Sequence, residues 1–114
     1  MKNIILAAVF AMLPITAAYA QEPKKPAPTV SLEDRLKTCA ACHGDKGQGV
    51  DTFKDYPKLA GQHADYLAKA LRDYKSGLRK NAIMGAQAQE LNAQEMRALA
   101  AYFSKQTGPL AVVR

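Results

Sequence analysis

Cys39-Ala40-Ala41-Cys42-His43 is the stretch that decides how this 114-residue chain is read. On a helical turn, residues i and i+3 lie on one face, so both sulfurs point the same way. His43, at i+4 from Cys39, falls on that same face. Two thiols and an imidazole at this spacing form C-x-x-C-H, the signature of c-type haem attachment. Both sulfurs can reach the two vinyl groups of one macrocycle, and the imidazole can meet its iron from below.

Rival chemistries for the pair are weaker. Thioredoxin-like redox work wants a βαβ setting, and no stretch here shows sustained strand alternation. A structural zinc site needs four ligands at finger-like spacing, whereas the only histidines are His43 and His63, twenty residues apart. A plain disulfide suits an oxidising compartment and is the state expected of the polypeptide before haem attachment.

Working outward, end signals place three helices. Ser31 caps a first segment that runs into Cys39, with Asp34 in a capping-box-like position and Leu32 and Leu36 on one face. A second spans roughly residues 62–76 and is stopped by Gly77, its buried side formed by Leu67, Ala70, Leu71 and Tyr74. For the third, Asn92 is the N-cap, Glu95 closes a capping box, and Leu91 and Met96 stand as a hydrophobic staple. Met96, Leu99, Ala100 and Phe103 then follow at helical spacing, and Gly108-Pro109 ends the run. The expected fold class is all-α.

Composition agrees with the motif. Residues 31–114 hold only fifteen Leu, Ile, Val and Phe among 84 positions, thin material for the core of one small domain. A covalently held haem supplies the missing apolar mass. A large enzyme, a multidomain protein and a Rossmann-type nucleotide binder are excluded.

Residues 1–20 read as a cleaved secretory signal peptide: Lys2, a short apolar run, and Ala18-Tyr19-Ala20 as the cleavage site. As an uncleaved anchor, residues 4–20 would span about 25 Å of helix, short for a membrane. Residues 21–30, with three prolines and two lysines, read as a linker. The expected location is a bacterial periplasm, with no stable membrane insertion after cleavage.

The mature charge of +5 is concentrated. Residues 54–80 carry Lys54, Lys58, Lys69, Arg72, Lys75, Arg79 and Lys80 against Asp55, Asp65 and Asp73. Two readings stand: a solvated helix face, or a docking surface for the acidic face of a redox partner. Export argues against nucleic acid as the partner.

The iron needs a sixth ligand, and the candidates are Met84, Met96 and His63. Met96 is accounted for by its staple and buried face. Met84 sits in Lys80-Asn81-Ala82-Ile83-Met84-Gly85, read as a loop between helices where packing gives a methionine no role, so ligation is the better account. Thioether ligation opposite histidine raises the potential relative to two imidazoles. His63 reads as a surface or capping residue, with bis-histidine ligation as the remaining alternative. Pro57, in Tyr56-Pro57-Lys58-Leu59-Ala60-Gly61, offers a backbone carbonyl to fix the other ring N–H of His43. Gly47, Gly49 and Gly61 read either as plain turns or as backbone freed to wrap close to a flat ring.

With these motifs in place the chain resembles the class I cytochromes c over residues 31–107. It is most like the short periplasmic branch whose two-domain relatives carry two haems, so it is similar to one half of such a protein. Cys39-Ala40-Ala41-Cys42-His43-Gly44, Tyr56-Pro57-Lys58-Leu59-Ala60-Gly61-Gln62-His63, Asn81-Ala82-Ile83-Met84 and Ala100-Ala101-Tyr102-Phe103 carry the likeness. The resemblance implies a small cytochrome c fold wrapped around one haem c, with Pro57 accepting from His43 and Met84 as axial ligand. It implies that Leu99 and Phe103 pack on the first helix near Leu32 and Leu36. Only one C-x-x-C-H is present, so one haem is expected. The expected function is a one-electron carrier cycling Fe(II)/Fe(III), not an enzyme. Its partners would be a membrane oxidase or reductase, or a periplasmic dehydrogenase. Two alternatives stay open: a small haem subunit of a dehydrogenase, or a haem enzyme or ligand sensor with a labile sixth position.

Overall fold

The computed structural model describes residues 30–52 and 54–111. The signal peptide and, apart from Val30, the linker read from the sequence lie outside them. Four α-helices follow in chain order: α1 Leu32–His43, α2 Ala64–Ser76, α3 Ala82–Gln89 and α4 Ala93–Ser104. No strand occurs among the described residues, and the fold is all-α.

The helix starts follow from short polar side chains. Ser31 Oγ accepts from the Asp34 N–H at 3.1 Å while its hydroxyl donates to Asp34 Oδ2 at 2.7 Å, a reciprocal pair close to the capping box expected there. Asn92 makes the full box: its side chain accepts from the Gln94 and Glu95 N–H groups, and Glu95 Oε2 accepts from the Asn92 N–H at 2.8 Å. α2 begins two residues later than expected, because Gln62 is spent on the preceding turn. Its N–H donates to Leu59 and its side chain accepts from His63. Gly77, in the left-handed region at φ 80°, ends α2 as expected.

α3 corrects the sequence reading, which placed Met84 in a loop. The Asn81 side chain accepts the Met84 N–H at 2.9 Å and starts a helix of eight residues. Periodicity was silent because, Ile83 and Met84 apart, the helix is built of Ala, Gly and Gln, with Ala88 its one buried residue.

The core lies between α2 and α4, where Leu67 and Ala68 meet Met96, Leu99, Ala100 and Phe103, with Leu91 below them. Burial of this apolar surface contributes roughly 25 cal/mol per Å2. α1 adds Leu36 and Cys39 at the margin. Leu32 does not join them: it stays 41% exposed, since a residue at the first position of α1 lies a full turn outside the core. Ala70 and Tyr74 are half-buried. α1 packs on α4 and α3 on α2, while α1 and α3 share no packed face.

The loop from α1 to α2 is folded onto α4 through Gly47. Its carbonyl accepts from both Leu59 (2.7 Å) and Ala60 (2.9 Å). At φ 76° a β-carbon there would lie 2.8 Å from Phe103 Cδ1. This glycine therefore serves the contact between loop and helix, which settles its role as more than a turn.

Candidate functional site

His43 ends α1. Gly44 follows at φ 82°, turning the chain back so that the Gly49 N–H donates to the His43 carbonyl at 2.7 Å. The imidazole is 6% exposed, and its Nδ1 lies 2.8 Å from the Pro57 carbonyl oxygen. A carbonyl can only accept, so Nδ1 carries a proton, and in the neutral imidazole that leaves the lone pair on Nε2. Among the described residues Nε2 has no hydrogen-bond partner. The Gly47–Leu59–Ala60 bonds, and a 3.0 Å bond from the Gly61 N–H to the Phe103 carbonyl, pin the turn that presents Pro57.

Cys39 and Cys42 are free thiols, both half-buried and one helical turn apart. Burial pushes the Cys39 thiol up, against the opposing pull of the Arg35 charge.

Two adjoining cavities, each open to solvent at its mouth, lie in front of His43. Their lining is mostly apolar, as cofactor pockets usually are. Cys39, His43, Pro57, Leu71, Tyr74 and Met84 line both cavities. Leu59, Leu67, Leu99 and Phe103 complete one wall, and Thr38, Ile83 and Leu91 the other. The two helices that do not pack on each other, α1 and α3, face this cleft from opposite sides.

Each sequence-predicted residue can now be placed. Cys39, His43, Pro57 and Met84 come together on both cavities, and Cys42 on one. Met96 lines neither and is buried in the core. His63 is the exposed N-cap of α2, makes no side-chain cap bond, and lines neither cavity. Ala70, Leu71 and Tyr74, expected on the buried side of α2, are half-buried and line the cleft, and Leu71 also packs against the core.

Other residues at the cleft were not singled out by sequence. Arg79 lies 5.0 Å over the Tyr74 ring and donates to the Tyr66 hydroxyl at 3.3 Å, so it is fixed at the mouth. In the sequence it was one cation among seven. Arg35 bridges to Glu95 at 3.2 Å; the capping role of Glu95 was legible, its ion pair was not.

The donor set fits a covalent haem on this structure's own terms. Two thiols lie one turn apart, a buried imidazole is held in the tautomer that frees Nε2, and a thioether stands on the same apolar cleft. Cys39 and Cys42 would hold the macrocycle's edge, with His43 and Met84 on its iron.

Comparison with known proteins shows the family. A family model described as cytochrome c matches residues 32–107. Cytochrome c-554(548) of Halomonas halodenitrificans is 43% identical over 77 residues, 65% of this chain and 90% of that protein. A thiosulfate dehydrogenase electron acceptor of Thiomonas intermedia is 41% identical over 80 residues, 70% of this chain but 36% of its own length. The crystal structure of reduced cytochrome c4 from Pseudomonas stutzeri superposes with a TM-score of 0.57 at 31% identity, covering 67% of this chain and 48% of that one. The matched region thus spans nearly all of one relative, about a third of another and about half of the solved structure.

Proposed function

We propose a carrier role for this chain, which belongs to the cytochrome c family and holds one covalent haem c: one-electron transfer in a bacterial periplasm, with His43 and Met84 as the axial ligands of the iron. When bound, the haem supplies the Fe(II)/Fe(III) couple. The chain's residues do the rest. Cys39 and Cys42 anchor the group, and the Pro57 carbonyl keeps the His43 proton on Nδ1 and so aims Nε2 into the cleft. Met84, presented by α3, would supply the second protein ligand. Its thioether favours the reduced state relative to a second imidazole. With His43 and Met84 both on the iron, no coordination site would be left for a substrate, which is why a carrier is favoured over an enzyme.

The observation that carries this reading is that His43 and Met84 line the same cleft, while Met96 and His63 lie off it. The export reading adds the compartment: a lysine followed by an apolar run and an A-x-A site.

The basic belt narrows to a smaller set. Lys69 pairs with Asp73, Lys75 donates to the Gln89 and Leu91 carbonyls, and Arg79 is held by the two tyrosines. Lys54, Lys58, Arg72 and Lys80 stay exposed, without a charged partner among the described residues. Free cations of this kind steer an acidic redox partner without holding it. A second reading, acceptor for a dehydrogenase, is favoured by the likeness to a protein named for that role, and differs in how long the partner stays.

The test is electron transfer from the reduced protein to a periplasm-facing oxidase as ionic strength rises. A diffusing carrier slows steeply, because salt screens charge beyond about 8 Å at physiological strength. A salt-independent rate, or copurification with a dehydrogenase at fixed stoichiometry, contradicts the shuttle. Ready binding of carbon monoxide by the reduced protein contradicts the closed sixth position.

A further inference from the structure

α1 carries Cys39, Cys42 and His43, and α3 carries Met84, yet these two helices do not pack on each other. Arg35 spans the gap. From α1 its Nη2 donates to the Glu90 carbonyl, at the C-cap of α3, at 2.7 Å, and its Nε donates to Glu95 Oε1 at 3.2 Å. The Arg35 side chain is 18% exposed and that of Glu95 only 8%. The bond to Glu95 is thus a charge-assisted one partly withdrawn from water, which is among the strong ones, while the bond to Glu90 lies nearer solvent.

α3 depends on such help. A helix of eight residues is marginal in water by itself. Its last turn contains no basic residue to complement the negative end of its dipole. The cations that meet its C-terminal carbonyls come from other helices. Lys75 of α2 donates to Gln89 and Leu91, and Gln89 Nε2 returns a bond to the Lys75 carbonyl at 2.7 Å. Those bonds tie α3 to α2. Arg35 ties it to the helix that bears His43.

We propose that Arg35 is a positioning residue for the sixth iron ligand: by clamping Glu90 and Glu95 together, it sets the helix of Met84 at a fixed distance from that of His43. This rests on the reading of Met84 as that ligand. The clamp needs the planar fork of arginine, which serves two acceptors at once where lysine offers a point charge. Arg35 also borders the second cavity, but its two bonds go to Glu90 and Glu95, and their loss shows as easier displacement of the methionine.

Imidazole competing for the iron of the oxidised holoprotein measures this, with loss of the near-infrared methionine–iron band as the signal. An outside ligand binds in proportion to the fraction of molecules whose methionine has swung away. R35Q is expected to bind imidazole about tenfold more tightly, the scale of one lost charge-assisted bond. N92A is the control: it removes the cap of α4 but leaves both acceptors of Arg35 in place, and its imidazole affinity is expected to match the wild type. E95Q, which weakens one of the two bonds, is expected to shift affinity about threefold and carries the test if R35Q fails to mature. Wild-type affinity in R35Q, or in E95Q where that variant stands in, overturns the proposal. An equal shift in N92A does so too, because the effect would then be general loosening. Absence of the band in the wild type itself overturns the Met84 reading first, and this inference with it.

Discussion

Asn92 opens α4 and Asn81 opens α3, and in both the side chain accepts backbone N–H groups two or three residues on. Beyond that first turn the helices differ. α4 closes its box with Glu95 and buries Met96, Leu99, Ala100 and Phe103. α3 buries only Ala88, leaves Ile83 52% exposed, and borrows its C-terminal cations from α1 and α2. One side of the molecule is thus a protein core in the ordinary sense. The other is a cleft whose packing partner is the haem. A short chain folds with so few large apolar residues because part of its interior is filled by the haem.

The division can be broken most forcefully from the α4 side. Leu99→Ala removes a side chain that is 2% exposed, and is expected to cost about 2–5 kcal/mol in denaturant unfolding of the holoprotein. A much smaller loss would mean that the haem, and not α2 against α4, carries the stability.

A finer comparison sets the two caps against each other. N92A is expected to lower stability by about 0.5–2 kcal/mol with the methionine–iron band intact. N81A frees the Met84 N–H and is expected to do the reverse, with little change in global unfolding but weaker methionine ligation. Identical behaviour of the two variants, by unfolding and by near-infrared absorption, would erase the distinction.

The smallest effect is a pH dependence. Burial alone would raise the Glu95 carboxyl. The bond from the Asn92 N–H and the bond and charge of Arg35 outweigh it, and hold the group below its ordinary value. A carboxyl that binds protons less readily folded than unfolded stabilises the fold above its unfolded pKa, about 4.3 for glutamate. That stability is lost as pH falls through the lowered folded value. Unfolding free energy should therefore drop below about pH 4, and E95Q should flatten that part of the profile. An unchanged slope in E95Q would show that other carboxylates govern acid unfolding.

The sequence told these two sides apart unevenly. The attachment motif, the Asn92–Glu95 box and the spacing of residues 96–103 are strong local signals, and the structure bears out the box and the buried face. α3 was missed because Asn81 is its only punctuation: apart from the adjacent Ile83 and Met84 it is Ala, Gly and Gln, which show no apolar period, and its C-terminal caps come from Lys75 and Arg35, distant in sequence. The same holds for the Arg35–Glu95 pair, 60 positions apart. Leu32 was expected inside because it shares a face with Leu36, yet that face leaves the core before the helix begins. His43 and Pro57 could be paired from sequence because one needs an acceptor and the other cannot donate. The bonds of Gly47 that bring them to 2.8 Å could not.

The identity of the sixth ligand is the claim on which the carrier reading stands, and near-infrared absorption of the oxidised holoprotein tests it most directly. The account predicts the methionine–iron band in the wild type at neutral pH, its survival in Met96→Leu, and its loss in Met84→Ala together with new binding of carbon monoxide by the reduced form. A band that persists in Met84→Ala, or a wild type that lacks it and binds carbon monoxide readily, would contradict the account.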